Sequence, residues 1–369
     1  MRNASTTALA LCVIAGGASA GGIDRSGQSI APLFQEGNYA EISLGTAVPS
    51  VSGSVVGIQS GDMAKTYWQF GAAMKQQIND RLSYSIILDQ PFGADVDYSA
   101  STGYPLRSTF AEFDSTALTG VLRYNMDNGF GVHGGLRVQR VTANASVPTV
   151  AGYSVEGKAD YGTGYLAGVS YERPDIALRV SLTYNSKIKT EHRTSENLAL
   201  AATSLVTKTT IETPQSVNLD FQTGIAKDTL LFGGVRWVDW SDFTIDPLLY
   251  RTATRVPFLS YDDDTYTYTL GVGRRITDTW SGSLALTYED GDSNKPVSNL
   301  GPTSGKFGVT LGARYKNDNF SVSTGVNYTW IGNATTNVPI AAGPPPVLAR
   351  SSFSNNSAVG FGVKVGWHY

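Results

Sequence analysis

The sequence predicts an all-β protein: a transmembrane antiparallel β-barrel of fourteen strands, preceded by a short N-terminal lumenal segment. Three observations predict it. Apolar residues alternate with polar ones from Tyr39 to the last residue, connections alternate strictly between short and long, and aromatic residues gather near both ends of the strands.

The alternation is clearest in Leu118, Gly120, Leu122 and Tyr124; in Ile176, Leu178, Val180, Leu182 and Tyr184; and in Phe320, Val322, Thr324, Val326, Tyr328 and Trp330. Trp280 to Tyr288 and Phe307 to Tyr315 repeat it. The interleaved residues are small or polar, such as Thr119, Arg123, Arg179, Ser181, Ser321 and Asn327. Successive side chains of a strand point to opposite faces, so each strand has one apolar face. In a soluble sandwich that face turns inward. In a membrane barrel it meets lipid, and the polar face lines the lumen.

Connection lengths separate the two. Short turns rich in Asn, Asp or Gly fall near 78–80, 126–129, 172–175, 226–228, 276–279 and 316–319, as tight hairpins require. Long loops are expected near 53–65, 93–107, 143–157, 187–209, 244–262, 290–304 and 332–352. Six short turns and seven long loops join fourteen strands, and an even number leaves both ends on the short-turn side. Short turns on one side and long loops on the other are the outer-membrane pattern. A lipid-facing sheet must also close on itself, because bilayer hydrocarbon offers no partner to an open edge.

The aromatics agree. Tyr84, Tyr124, Tyr171, Trp280, Tyr315 and Trp367 lie near the short turns, and Tyr184, Trp240, Tyr266, Tyr288 and Trp330 lie toward the long loops. Two membrane interfaces select two such belts. The chain ends on Val359, Phe361, Val363, Val365, Trp367 and Tyr369. A last strand alternating to a terminal aromatic is the expected signal for barrel-assembly machinery.

The first 20 residues read as a secretory leader, with Arg2, an apolar stretch at 8–15 and the small-residue site Ala18-Ser19-Ala20. The stretch is too short to span a bilayer, which takes about 20 apolar residues. Cys12, the single cysteine, leaves with it. A lipoprotein reading of Leu9-Ala10-Leu11-Cys12 is weaker, because Leu11 is large and apolar residues continue beyond Cys12. The expected organisation is therefore a signal peptide at 1–20, a short hatch-like segment at 21–38 and the barrel at 39–369.

A mature chain without cysteine excludes disulfides and thiolate chemistry. Losing Arg2 makes the formal charge one unit more negative than −3, which argues against nucleic acid as a partner. The 40 glycines, 19 tyrosines and 16% charged residues suit closely packed strands rather than an α/β enzyme. His133, His192 and His368 lie on different elements without metal-ligand spacing. A hydrolase in the wall would need a lipid-facing Ser–His pair, and His133 falls on the lumenal phase. Gly271-Val272-Gly273 has no following helix to cradle phosphate. Asp262-Asp263-Asp264 reads as a solvated acidic tip rather than a Ca²⁺ site. No catalytic residue, metal or cofactor is expected.

Alternation places Arg123, Arg137, Arg179, Arg236, Arg314 and Lys364 in the lumen. A carboxylated ligand would seek such cations, best through a bidentate guanidinium. They could equally pair with lumenal acids such as Asp220, Glu289 and Asp89. Val121 and Leu166 could touch an alkyl chain or fill space. Apolar stretches at 198–205, 245–250 and 340–347 offer an external landing surface or solvated loop tips, and Gly343-Pro344-Pro345-Pro346 stiffens the last loop. The third strand, 83–96, contains Gln90-Pro91-Phe92-Gly93. Proline donates no ladder hydrogen bond and glycine permits a bulge, so a kink is expected there.

Several stretches resemble the FadL/TodX family of outer-membrane long-chain fatty-acid and hydrocarbon transporters. They are Ile78-Asn79-Asp80-Arg81-Leu82-Ser83-Tyr84, Tyr184-Asn185-Ser186-Lys187-Ile188-Lys189, Thr213-Pro214-Gln215-Ser216-Val217, Tyr268-Thr269-Leu270-Gly271-Val272-Gly273 and, most specific, Trp237-Val238-Asp239-Trp240-Ser241-Asp242-Phe243. The resemblance implies a fourteen-stranded barrel that takes an apolar ligand from outside, holds it in lumenal sites and releases it laterally to outer-membrane lipid. The implied opening lies at Pro91, Phe92 and Gly93, and one or more of Arg123, Arg137, Arg179, Arg236 and Arg314 would meet a ligand carboxylate. The chain departs from the family in its hatch, which is short and has Glu36-Gly37-Asn38 where an Asn-Pro-Ala motif is expected. Residues 23–25 and Leu33-Phe34 could still enter the lumen. The expected function is passive uptake of long-chain fatty acids or other hydrophobic small molecules. The alternatives are a general porin for small polar solutes and an adhesin or structural barrel working through its loops.

Overall fold

The computed structural model describes residues 23–293, 295–341 and 347–369. The leader with Cys12, and Gly343 to Pro346 of the last loop, lie outside the described residues.

Fourteen antiparallel strands form the barrel. They are β1 (Tyr39–Ser50), β2 (Tyr67–Gln77), β3 (Leu82–Asp89 and Gly93–Asp97), β4 (Phe110–Asn125), β5 (Phe130–Val147), β6 (Tyr153–Arg173) and β7 (Leu178–Asn185 and Ile188–Leu198). They continue as β8 (Thr203–Thr213 and Ser216–Ala226), β9 (Thr229–Val238), β10 (Thr265–Arg275), β11 (Trp280–Glu289), β12 (Lys306–Lys316), β13 (Phe320–Ile331) and β14 (Asn356–His368). Each pairs with its neighbours in sequence, and β1 pairs with β14 from Tyr39↔His368 to Ser50↔Ser357, which closes the sheet. Closure removes both edges. Pro214 interrupts β8, as a residue without an N–H must.

The outward face is apolar. Ile42, Leu44, Leu118, Leu122, Leu136, Val169, Leu270, Leu311, Val326 and Phe361 are all exposed, an arrangement that only a lipid solvent stabilises. The inward face of the same strands carries buried Thr119, Arg123, Arg137, Ser181, Thr183, Asn218, Thr310 and Asn327.

Two connections differ from expectation. The long loops placed at 143–157 and 187–209 are mostly strand: β5 runs to Val147, β6 begins at Tyr153, and β7 and β8 turn only at Ala199–Ala201. Above the membrane the outward face no longer needs apolar residues. Buried Thr190, His192, Thr194 and Glu196 alternate there with exposed Lys189, Glu191, Arg193 and Ser195. The pleat persists while the hydropathy signal fades, so the sequence reads as loop.

The external end is roofed by structured loops. Hairpins from the first and last long loops join into a four-stranded sheet of Ser52–Val55, Ile58–Asp62, Ala334–Ala341 and Val347–Phe353. A short helix, α1 (Leu248–Thr254), closes the fifth loop. The Glu196 carboxylate on β7 accepts the N–H groups of Leu249 and Tyr250, at 2.9 and 3.1 Å, and so satisfies donors that a helix start leaves free. Trp240, expected in the outer belt, is instead fully buried among Phe92, Phe243 and Tyr261.

Candidate ligand-binding passage

The barrel wall is interrupted between β2 and β3. β2 pairs with β1 from Tyr39↔Lys75 to Ala47↔Tyr67, but with β3 only from Gln77↔Ser83 to Ala72↔Leu88. Residues 67–71 therefore have a ladder partner on one side only. On its other side β3 pairs with β4 at Asp89↔Ala117 and again at Gly93↔Asp114. Three residues, Gln90, Pro91 and Phe92, thus face two, Ser115 and Thr116. One extra residue makes a bulge and bends the strand.

Local chemistry fixes the bend. Pro91 has no N–H to offer β2. The Ser115 side chain accepts the Phe92 N–H at 2.8 Å and donates to the Phe92 carbonyl at 2.7 Å. Phe92 is fully buried and meets the Trp240 ring edge-on at 5.8 Å between centroids. Outward of the bend β3 meets the segment that leads into β2, where Lys65 N–H reaches the Asp95 carbonyl at 3.2 Å and Asp97 N–H the Met63 carbonyl at 2.9 Å.

The N-terminal segment supplies the backbone partners that β2 does not. Arg25 N–H donates to the Pro91 carbonyl and Gly93 N–H to the Ile23 carbonyl, both at 2.8 Å. Three consecutive side chains then clasp the lumen. Asp24 takes a two-pronged pair from Arg236, at 2.7 and 3.1 Å. Arg25 pairs with Asp95 at 2.7 Å and Asp114 at 3.5 Å, and its guanidinium lies 4.3 Å from the centre of the Tyr67 ring across the break. Ser26 donates to Asp89 at 2.5 Å. Gly93 leaves room for this: a Cβ there would overlap the Arg25 guanidinium.

Further along, Ile30 and Leu33 pack with Ala73, Ile87, Val121 and Leu166. Phe34 lies between the guanidinium groups of Arg123 and Arg179, at 4.5 and 4.7 Å, a doubled cation–π contact. Lys75 donates to the carbonyls of Gln35 and Gly37, at 2.7 and 2.9 Å.

The cations named from the sequence do line the lumen, but at different places. Arg123 pairs with Glu172 at 2.6 Å. Arg137 donates to Thr119 and Asn185. Arg179 donates to Gln222 at 3.0 Å. Arg236 reaches Ser216, Asn218 and Gln28 besides Asp24. Arg314 is buried, and its Nε finds no partner. Lys364 pairs with Glu41 at 3.0 Å and Lys306 with Glu289 at 3.2 Å. Of the three acids weighed against the arginines, Glu289 meets a lysine and Asp89 meets Ser26, while Asp220 feels the charges of Arg179 and Arg236.

Cavities lie in series along the lumen. An external vestibule of about 600 Å³ is bounded by Trp240, Tyr250, Tyr261 and Val150. Burial raises the Tyr250 and Tyr261 phenols above their ordinary range, so these two side chains stay neutral, while Asp262, Asp263, Asp264, Asp290, Asp292 and Lys295 bring charge to the same space. Beneath it is a small cavity of about 50 Å³ lined by Val96, Phe113, Val155, Ile211 and Ile245. Phe258, Leu259 and Leu300 border both and form the partition between them. Ile23 closes its inner side, and among the described residues no lysine or arginine lines it. Beyond residues 24–26 lies a polar cavity of about 340 Å³, whose walls include Phe70, Gly71, Leu88 and Gln90 at the break. Sequence reasoning missed Asp95, Asp114, Tyr67 and the Phe258–Leu259–Leu300 partition. Apolar residues in irregular loops carry no period that would mark them.

A family model described as "Outer membrane protein transport protein (OMPP1/FadL/TodX)" matches residues 34–368. No curated protein sequence matches significantly. Among solved structures, a Pseudomonas aeruginosa FadL homologue superposes with a TM-score of 0.75 at 14% identity, covering 92% of each chain. The Pseudomonas putida toluene transporter TodX gives 0.67 at 12% identity, over 96% of this chain and 97% of that one. The CymD monoaromatic hydrocarbon channel gives 0.60 at 13% identity, over 91% and 89%. At such identities the likeness is one of fold.

Proposed function

Since the chain belongs to the OMPP1/FadL/TodX family and is an outer-membrane transport channel for hydrophobic compounds, we propose a route for its ligand. An apolar molecule collects in the external vestibule, passes the Phe258–Leu259–Leu300 partition and rests in the apolar cavity. Residues 23–26 then swing aside, and it leaves sideways into the membrane between β2 and β3, beside Pro91, Phe92 and Gly93. The ladder interrupted at 67–71 carries this reading.

The lining of the apolar cavity favours an uncharged ligand such as a small hydrocarbon. Once past the vestibule, a fatty-acid carboxylate would next meet cations in the polar cavity beyond, which Arg25, Arg236, Lys306 and Lys364 line. Arg123, Arg137, Arg179 and Arg314 serve on this reading to organise the polar lumen and the N-terminal segment. Residues 23–38 act as the hatch, outer-membrane lipid receives the ligand, and the terminal strand is read by barrel-assembly machinery. The family is one of transport channels, and we assign the chain no catalytic step. His133 and His192 are held by Thr183 and by the Lys158 carbonyl.

The test restores the ladder. Deleting Gln90 together with Pro91→Thr removes the extra residue and supplies the missing N–H. Uptake of radiolabelled toluene by cells lacking their own transporter is expected to fall to background, while heat-modifiable migration shows the barrel intact. Undiminished uptake would rule out lateral exit at this place. Uptake of a labelled long-chain fatty acid in the same cells ranks the two ligand classes.

A further inference from the structure

The outward face of β5–β8, just beyond the lipid-facing band, carries an unusual arrangement of charge. On β5 the exposed run Leu136, Val138 gives way to Arg140, which pairs in register with Tyr161 of β6. Three residues beyond Tyr161, about 10 Å along the strand, stands Lys158. Its neighbour Gly157 pairs with Thr194 of β7, so Lys158 stands beside Arg193. Arg193 in turn pairs directly with Lys208 of β8. All three are exposed and point away from the lumen, alternating with buried His192, Thr194 and Thr209.

Like charges directly opposite on neighbouring strands repel. The protein compensates little of this itself. Among the described residues, Glu191 is the one acid in an ion pair with the group, shared between Lys189 at 3.4 Å and Lys208 at 3.6 Å, while Asp114 feels the charge of Arg140 at its flank. Asp160 is engaged by the Glu191 N–H, and Glu156 stands across from Ser195, beyond the row. Among the described residues, Arg140, Lys158 and Arg193 form no ion pair. Rows of cations at this height face the headgroup layer of the outer leaflet, and fixed anions there would relieve the repulsion.

We propose that Lys158, Arg193 and Lys208, flanked by Arg140, form a binding site for the phosphorylated saccharide headgroup of an outer-leaflet glycolipid. The guanidinium of Arg193 takes a phosphate between the two lysines. The site lies on the barrel's outer surface, separate from the transport passage, and orients the tall β5–β8 wall against its annular lipid.

The test uses the full folded barrel, its folding checked by heat-modifiable migration. Binding of purified lipopolysaccharide is compared with binding of the same material after dephosphorylation. The wild type is expected to prefer the phosphorylated form. The Lys158→Ala/Arg193→Ala/Lys208→Ala variant should bind it at least ~10-fold more weakly, since each lost charge-assisted contact is worth a severalfold change. Lys227→Ala, an exposed lysine of a short turn at the opposite end of the barrel, should bind as wild type, and all should transport toluene equally. Single Arg193→Gln gives the same reading if the triple variant folds poorly. Equal binding by wild type and variant, or no effect of dephosphorylation, would overturn the proposal.

Discussion

Arg25 bears on both sides of the wall's interruption: its charge is held by Asp95 and Asp114 on β3 and β4, and its plane covers Tyr67 on β2. Breaking a buried ion pair by removing one partner costs about 3–5 kcal/mol. Asp95 and Asp114 keep contact with water, so the cost of Arg25→Ala is nearer ~2 kcal/mol. That loss falls on the closed position of the N-terminal segment rather than on the barrel. Faster toluene uptake, by severalfold, is the expected outcome in the cell assay; an unchanged rate would mean that residues 23–26 do not limit passage. Gly93→Ala should behave alike, because its Cβ occupies the space of the same guanidinium. Proline and glycine in the third strand are visible in the sequence as breakers. That Gly93 makes room for an arginine 68 positions earlier is not, because nothing local records who crosses over it.

At the scale of elements, α1 depends on a carboxylate from a strand about fifty residues earlier in the chain. Glu196→Ala leaves the first turn without its acceptor, a loss of about 1 kcal/mol. Faster amide exchange confined to 247–258 is expected, with the barrel strands unchanged; uniform protection would show that packing alone holds the helix. The partition offers a second prediction. Trimming Phe258 to Ala removes the largest side chain between vestibule and apolar cavity, so bulkier hydrocarbons should gain more in uptake than toluene. An equal gain for all sizes would place the size filter elsewhere. Both lie where the sequence reading expected only loop, since a seven-residue helix and three apolar residues spread over two loops fall below any periodic signal.

The whole molecule decides between a channel that is open to water and one that is shut. Phe34 between Arg123 and Arg179 and the Lys75 tether fill the lumen toward the short turns, and the clasp at 24–26 crosses it farther out. Single-channel recordings in planar bilayers should therefore be nearly silent for the wild type. Removing residues 23–34 should produce a steady ion conductance, because the remaining lumen is lined by Thr, Ser, Asn and charged groups. A large conductance from the intact chain would favour the porin alternative instead.

The sequence by itself determined the quantities that depend on local period and local chemistry. Strand number follows from turns at regular spacing, the lipid face from alternation forced by the pleat, and the bend in β3 from a proline that cannot pair. The lumenal phase of Arg123, Arg137, Arg179, Arg236 and Arg314 was legible for the same reason. Only the tertiary structure decided which partner each would meet, and that Asp24 and Arg236, 212 residues apart, would close on one another. Partners inside a barrel are set by register between distant strands and by one extra residue at 90–92. A shift of a single position there re-aims every side chain beyond it, and alternation along one strand carries no trace of that choice.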